Sequence, residues 1–202
     1  MAINLTKGNK VNLKKSSDAG LGEILINLNW NSRPQNQSFF AKLFGTADQG
    51  IDLDLGCLYE LKNGKKGTVQ ALGNTFGSLT REPYVSLDGD DRTGASSVGE
   101  NLRINGNMIS NIRRILVYTF IYEGIANWRQ ADAVVTIKYP GAEDMIVRMD
   151  SFDSSYKMCG LVLFENVSDT TFSVEKLVQF FPGHSALDKE FHWGLRWVPG
   201  RK

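Results

Sequence analysis

Short runs in which apolar residues alternate with polar ones, separated by turn residues, dominate this sequence. Ile24–Trp30 begins densely apolar and then alternates, and Ile51–Leu55 alternates strictly, with Ile51, Leu53 and Leu55 on one face. Ile115–Tyr122 is a continuous β-branched and aromatic run, which is typical of a strand buried on both faces. The other predicted strands are Ala133–Tyr139, Met145–Met149, Cys159–Glu165 and Thr171–Phe181. This spacing predicts a mainly β fold, a two-sheet β-sandwich with a few short helical turns.

The helical turns are predicted at three places. Ser110–Arg114 forms one before the strand at 115, and Asn127–Ala131 forms another that Asn127 caps. Ser185–Phe191 is the third, with Ser185 as the cap and Asp188 at the capping-box position.

The segment Asn31–Gly50 interrupts the strand rhythm as a polar, turn-rich insertion with an aromatic centre. Ser38 is placed to cap a short helix there, and four apolar residues share one side of that helix: Phe39, Phe40, Leu43 and Phe44. A loop helix that folds back over the sandwich is the favoured interpretation. The alternative is a tip that docks on a partner or a membrane, because an uncovered aromatic patch is adhesive.

Composition fits one soluble globular domain over residues 1–202, since 42% of the residues are hydrophobic and 22% are charged. The net charge of +1 gives no bulk attraction for nucleic acid, so none is expected as a partner. The amino terminus lacks the pattern of a secretory signal, and no apolar run approaches the ~18 residues of a transmembrane segment. Cys57 and Cys159 are interpreted as buried small residues in a reducing compartment, which predicts a cytoplasmic location.

A cluster of acids lies between two apolar segments that resemble strands, in the stretch Val85–Gly94. Asp88, Asp90 and Asp91 repel one another unless a cation lies among them. Calcium takes six to eight oxygen ligands, which such a loop offers. The spacing is not that of an EF-hand, because the required glycine and glutamate positions cannot be matched together.

A second acidic pair, Asp52 and Asp54, lies on the predicted strand Ile51–Leu55. Residues two apart on a strand project to the same face. A solvent-exposed face is the plain interpretation of this pair. A cation shared between the strand and the acidic loop would explain both clusters at once.

Three pieces of sequence occur in an order that resembles the TerD family of bacterial tellurium-resistance and stress proteins. They are the opening Ile3–Gly8, the strand Ile51–Leu55 and the loop Gly89–Gly94. The resemblance spans most of the chain. The C-terminal stretches Phe180–His184 and Phe191–Trp197 look more like the TerA branch of the family.

The resemblance implies a β-sandwich that binds calcium through the strand and loop aspartates. The ligands carried over by position are Asp52, Asp54, Asp90 and Asp91, with Asp88 an extra acid just before the motif. The family pattern continues with a second acid-rich run, whereas this chain has Ala95–Asn101, in which Glu100 is the remaining acid. We therefore expect one weaker calcium site, or none, where the fuller pattern supports two. The implied partners are other tellurium-resistance and stress proteins, with a membrane-associated assembly left open.

Enzymatic chemistry has little support in the sequence. His184 and His192 are interpreted as surface or structural residues rather than zinc ligands. The nucleophile-elbow, P-loop and dinucleotide-binding motifs are absent from the sequence. The basic-aromatic C-terminus, with Trp193, Trp197 and the charged residues Arg196, Arg201 and Lys202, is interpreted as the end of the core followed by solvated charges rather than a docking surface.

Three functions from different classes remain. The first is a non-enzymatic calcium-binding stress-response module that acts through protein assembly. The second is a metal-free interaction scaffold on the same fold. The third is a hydrolase of phosphoesters that uses the acidic cluster and a divalent metal.

Overall fold

The computed structural model describes residues 2–14, 20–31, 51–89, 99–123, 127–149, 153 and 155–198. The strands are β1 (Ile3–Asn4), β2 (Lys10–Asn12), β3 (Glu23–Asn29), β4 (Asp52–Leu61), β5 (Lys66–Gln70), β6 (Gly77–Ser78), β7 (Val85–Leu87), β8 (Glu100–Asn105), β9 (Ile112–Glu123), β10 (Val134–Lys138), β11 (Met145–Arg148), β12 (Met158–Val167) and β13 (Thr171–Phe181). The helices are the 3-10 helix η1 (Gly106–Asn111), α1 (Trp128–Ala131) and α2 (His184–Glu190). The predicted helix around Phe39–Phe44 lies outside the described residues.

The predicted two-sheet β-sandwich is confirmed. Sheet A has seven strands in the order β1-β11-β10-β3-β8-β7-β6, and sheet B has six in the order β2-β13-β12-β9-β4-β5. Alternate residues of facing strands fill the space between the sheets, as period-two side-chain alternation requires. The inward residues of β3 and β4 are Ile24, Ile26, Leu28, Leu53, Leu55 and Cys57.

Sheet B also carries an apolar layer on its outer face. Leu58 of β4 and Tyr118 of β9 pack there against Leu187 of α2 and Trp193, which follows α2. All ten residues of β4 are consequently buried, including its charged residues. The predicted burial of Ile115–Tyr122 on both faces has the same cause, although Tyr122 itself is exposed.

Of the first two predicted helical turns, one agrees with the structure and the other is displaced along the sequence. The Asn127 side chain caps α1 by accepting a hydrogen bond from the N–H of Gln130 at 3.2 Å, as predicted. The turn predicted at Ser110–Arg114 lies several residues earlier, as η1. Asn105 supplies the cap of η1 by accepting from the N–H of Asn107, so the strand β9 begins at Ile112.

The third helical turn is confirmed as α2, but its predicted cap is wrong. The helix begins at His184 after Gly183, and no side chain caps it. Asp188 accepts hydrogen bonds from the N–H groups of Gly194 and Leu195, at 2.8 and 2.9 Å. The carboxylate thus holds the chain after the helix, a contact that the local capping pattern cannot reveal.

One end of the sandwich gathers segments that carry several of the predicted metal ligands. At this end β3 stops at Asn29 and β4 starts at Asp52, and the indole Nε1 of Trp30 donates to the carbonyl of Ile51 at 2.9 Å. Glu100 begins β8 at the same end, where it pairs with Leu28 of β3. None of the helices in the described ranges has the length and hydrophobicity to cross a bilayer.

Both cysteines are buried free thiols, as the sequence predicted. Cys57 and Cys159 have no exposed surface. Burial raises the pKa of the Cys57 thiol to about 12, so this side chain stays protonated at neutral pH.

Candidate functional site

Glu100 connects the two sheets at the end of the sandwich described above. Its side chain is 3% exposed, and its Oε2 atom accepts a hydrogen bond from the backbone N–H of Leu55 at 2.6 Å. Pairing between β4 and β5 ends at Gly56, so the edge of β4 beyond that residue is not covered by β5. Glu100 therefore satisfies a backbone donor that the sheet itself leaves open.

The two aspartates of β4 are buried rather than exposed, so the interpretation of a solvated strand face is wrong. Asp54 has no exposed surface, and Asp52 is 8% exposed. The register shift between Asp52 and Leu53 leaves out Tyr122 of β9, so the extra residue belongs to β9 and the alternation along β4 is not interrupted.

Asp54 lies on the face of β4 opposite to its core residues, beside the aromatic residues of β9. It is in register with Phe120, and Tyr118 is the next residue on that face. Burial, which disfavours the charged phenolate, is the main cause that holds the pKa of the Tyr118 hydroxyl well above its usual range. Asp54 therefore lies beside a buried aromatic layer.

Asp52, Asp54 and Glu100 place three buried carboxylates at one end of the molecule. A buried carboxylate costs several kcal/mol unless hydrogen bonds or opposite charge compensate it. The atoms that these side chains offer to a metal are all oxygens, which are the ligands that a hard cation such as calcium prefers. Over the described residues, no three histidine, cysteine or acidic side chains, these three included, come together as a group that could hold a metal ion. Asp90 and Asp91 lie outside the described residues.

Asp88 is engaged in a different contact, on the outer face of sheet A. The guanidinium of Arg103 donates to both Asp88 carboxylate oxygens, with Nε at 2.7 and 2.8 Å and Nη2 at 2.6 Å. Arg103 also bonds Glu23. The structure thus separates Asp88 from the buried carboxylates and pairs it with a cation of the protein itself.

A second charged cluster, centred on Glu60 of β4, escaped the sequence analysis. Burial opposes the ionisation of Glu60, but the hydrogen bond and charge of Arg114, with Lys66 and Arg113, hold the pKa of its carboxyl below the usual range. The Nε of Arg114 lies 2.6 Å from the Glu60 carboxylate, and its guanidinium lies 3.9 Å from the ring centre of Trp193. This cluster fixes the C-terminal segment on sheet B. No local sequence signal joins Glu60 to a partner so far along the chain.

His184 lies among aromatic rings next to this segment. The ring centres of Tyr118, Phe120 and Trp197 are 5.3, 4.9 and 4.9 Å from that of the imidazole. Its Nε2 atom is enclosed and has no hydrogen-bond partner in the described part of the chain. Burial lowers the pKa of His184 to about 4, so the ring is neutral at physiological pH. His192, by contrast, is exposed.

Comparisons of the sequence with known proteins give consistent matches. The profile of the TerD domain family matches residues 1–140. The chain is 40% identical over 200 residues to the tellurium resistance protein TerA of an Alcaligenes species, covering 99% of this chain and 58% of that protein. It is 28% identical over 139 residues to the tellurium resistance protein TerX of Serratia marcescens, covering 61% of this chain and 64% of that protein. The chain thus spans about three-fifths of the length of both relatives.

Solved structures share the fold at low sequence identity. A crystal structure of a protein of unknown function superposes with a TM-score of 0.60 at 14% identity, covering 84% of this chain and 95% of that one. The crystal structure of a homologue of the telluride resistance protein TerD from Streptomyces coelicolor gives a TM-score of 0.54 at 15% identity, with the same coverage. At these identities the likeness concerns the fold alone.

Proposed function

This chain belongs to the TerD family, and from that premise we propose that it is a non-enzymatic, calcium-binding module of the tellurite stress response that acts through assembly with other proteins. The observation that carries the calcium part is the burial of Asp52, Asp54 and Glu100 at one end of the sandwich. Three carboxylates removed from water favour a bound cation, because positive charge offsets their desolvation.

The described carboxylates do not form a metal-binding group of three by themselves, so the proposal adds Asp90 and Asp91 of the acidic loop to ligands drawn from Asp52, Asp54 and Glu100. A bound calcium would supply the positive charge that lets strand and loop carboxylates share one place. Glu100 already accepts a hydrogen bond from Leu55, which leaves it less free to bind the ion. This fits a single site of modest affinity, without Asp88.

Calcium titration of the calcium-free protein by calorimetry tests this proposal. We expect one site, and at a hundredfold excess over Kd the free energy of unfolding should rise by about 2.7 kcal/mol. Asp54→Asn should weaken calcium binding at least about tenfold and reduce the stabilisation accordingly. Asp169→Asn is the matched control, because Asp169 is exposed and pairs with Lys62 at 2.6 Å.

Two results would contradict the proposal. A protein that shows neither binding heat nor a shift in Tm in millimolar calcium would be the metal-free scaffold. Turnover of a phosphoester that requires magnesium and stops in Asp91→Asn would make it a hydrolase. The assembly part is tested by native mass spectrometry of the chain mixed with other tellurium-resistance proteins, where complexes are expected.

A further inference from the structure

The strand β5 is an edge of sheet B and the longest edge strand in the described part of the molecule. It has five residues, whereas the other sheet edges, β1, β2 and β6, have two or three. Its first three residues, 66–68, are half-exposed. An edge of this kind presents backbone groups that another chain can bond.

Two sets of hydrogen bonds establish which backbone groups of β5 point outward. The N–H of Leu61 donates to the carbonyl of Lys65 at 2.9 Å across the β4–β5 turn. Gln70, at the other end, exchanges backbone hydrogen bonds of 3.0 and 3.2 Å with Thr75, away from β4. Successive residues of an antiparallel strand direct their backbone groups alternately towards and away from the neighbouring strand. Both contacts agree on which residues of β5 face β4. The N–H and C=O groups of Lys66 and Thr68 therefore point away from β4.

A groove of about 270 Å³ lies beside this edge, between β5 and the C-terminal segment. Its apolar lining comes from Leu72, Leu195 and Trp197. The indole of Trp197 is held by its Nε1, which donates to Asp188 at 3.1 Å. The groove is thus a fixed feature rather than a gap between unattached side chains.

Polar groups mark the floor and the rim of the groove. Gln70 is 7% exposed, and its Oε1 accepts from the Tyr118 hydroxyl at 2.6 Å, which orients the amide. Arg196 on the rim is exposed, and within the described ranges no carboxylate lies within ion-pair distance of it. An acidic group on an incoming chain would complement this cation.

We propose that the free edge of β5 is a docking site for an extended segment of a partner protein. The segment adds to sheet B as a strand, bonding the outward backbone groups of Lys66 and Thr68. One of its apolar side chains enters the groove beside Trp197, and an acidic side chain pairs with Arg196. This deepens the assembly part of the proposed function by naming the surface and the chemistry of the partner.

A panel of octapeptides with an amino-terminal fluorescein label and an amidated carboxyl terminus tests the site, with the sequence Thr-Val-Thr-X-Thr-Asp-Thr-Val and X as Ala, Leu or Phe. Binding is measured by fluorescence anisotropy in a calcium chelator, so that failure here leaves the calcium proposal untouched. Phe and Leu at X should bind about tenfold more tightly than Ala, because the larger side chain leaves water. Replacing Asp by Lys in the peptide should weaken binding severalfold.

Variants of the protein test whether the peptide binds at the edge of β5 and in the groove beside it. Thr68→Pro removes an outward N–H that no strand of the sheet uses, and should abolish peptide binding, whereas Thr68→Ala should preserve it. Trp197→Ala should remove the preference for Phe at X. Hydrogen exchange on the unmodified protein provides an independent test that is needed if Thr68→Pro does not fold. Saturating peptide should slow exchange of the Thr68 amide by about tenfold or more and leave Gly67 unchanged.

Three results would overturn the proposal. The first is no saturable binding of any peptide up to about 1 mM. The second is binding that persists in Thr68→Pro or gives no protection of the Thr68 amide. The third is a dimer in sedimentation experiments that Thr68→Pro dissociates, since a second copy of the chain would then occupy the edge.

Discussion

The carboxylate of Glu100 in sheet A bonds the backbone N–H of Leu55 in sheet B, with 2.6 Å between Oε2 and N. This contact connects strands that are far apart in sequence at the end where Asp54 is buried. It also gives Glu100 a structural role that is independent of any bound ion.

Replacing Glu100 should therefore destabilise the protein even without calcium. Glu100→Ala leaves the Leu55 N–H without its acceptor, and we expect a loss of about 1–3 kcal/mol in the free energy of unfolding. Glu100→Gln keeps an acceptor oxygen and should recover most of that loss. Urea denaturation in a chelator measures both, with the exposed Glu190→Gln as control. Equal stability of Glu100→Ala and wild type would refute the role.

Asp88 and Asp54 should respond differently to loss of charge. Asp88 is paired with Arg103, so Asp88→Asn should leave the affinity for calcium within about twofold and cost roughly 0.2–1 kcal/mol of stability at low salt. Asp54→Asn should reduce that affinity at least about tenfold, as expected for a lost charged ligand. Calorimetric titration of the two variants side by side decides the matter. A similar loss of calcium affinity in both variants would show that Asp88 is also a ligand.

Arg114 should contribute much more to stability than its neighbour Arg113. Arg114 bonds Glu60, donates to the carbonyls of Phe191 and His192, and stacks on Trp193. Lysine cannot reproduce this planar fork, so Arg114→Lys should cost about 1–3 kcal/mol and shift tryptophan fluorescence to the red.

Arg113→Lys is the matched control for that change. The Arg113 side chain is 66% exposed, and its one ion pair is with Glu60 at 3.0 Å. Its replacement should change the free energy of unfolding by less than about 0.5 kcal/mol. Equal effects of the two substitutions would show that the contacts of the Arg114 guanidinium with Glu60 and Trp193 contribute nothing to the free energy of unfolding.

His184 should make stability depend on pH in a defined direction. The pKa of the folded imidazole is about 4, below its ordinary value near 6.5, so the unfolded chain binds the proton more tightly. Stability is then fully present above pH 6.5 and falls as the pH drops from 6.5 towards 4, by roughly 3 kcal/mol at pH 4.

The comparison of wild type with His184→Phe isolates this contribution. Phenylalanine preserves the aromatic contacts and cannot titrate, so the difference in unfolding free energy between pH 7 and pH 4.5 should shrink. His192→Asn, at an exposed position, should retain the wild-type difference. An unchanged pH dependence in His184→Phe would show that the imidazole is not buried in its neutral form.

The sequence was sufficient for the elements whose identity is local. The apolar run at Ile115–Tyr122 predicted the core of β9, and Asn127 predicted the cap of α1, because strand burial and capping depend on residues close in sequence. The spacing of the strands predicted the β-sandwich, and the family resemblance added the TerD assignment.

The parts that the sequence missed depend on residues brought together by the fold. Strict alternation at Ile51–Leu55 suggested an exposed face for Asp54, but residues far along the chain cover that side of sheet B. Asp88 remains a predicted metal ligand, and the sequence did not indicate that the fold would place Arg103, fifteen residues away, beside it. Neither contact leaves a periodic or local signal.

The bond between the Trp30 indole and the carbonyl of Ile51 has a consequence for the architecture of the protein. This hydrogen bond holds the end of β3 and the start of β4 together, although twenty residues separate Trp30 from Ile51 in the sequence. The entropy of closing a loop changes only slowly with its length. A contact that already joins the two strand ends should therefore make the relative position of β3 and β4 insensitive to the number of residues between them.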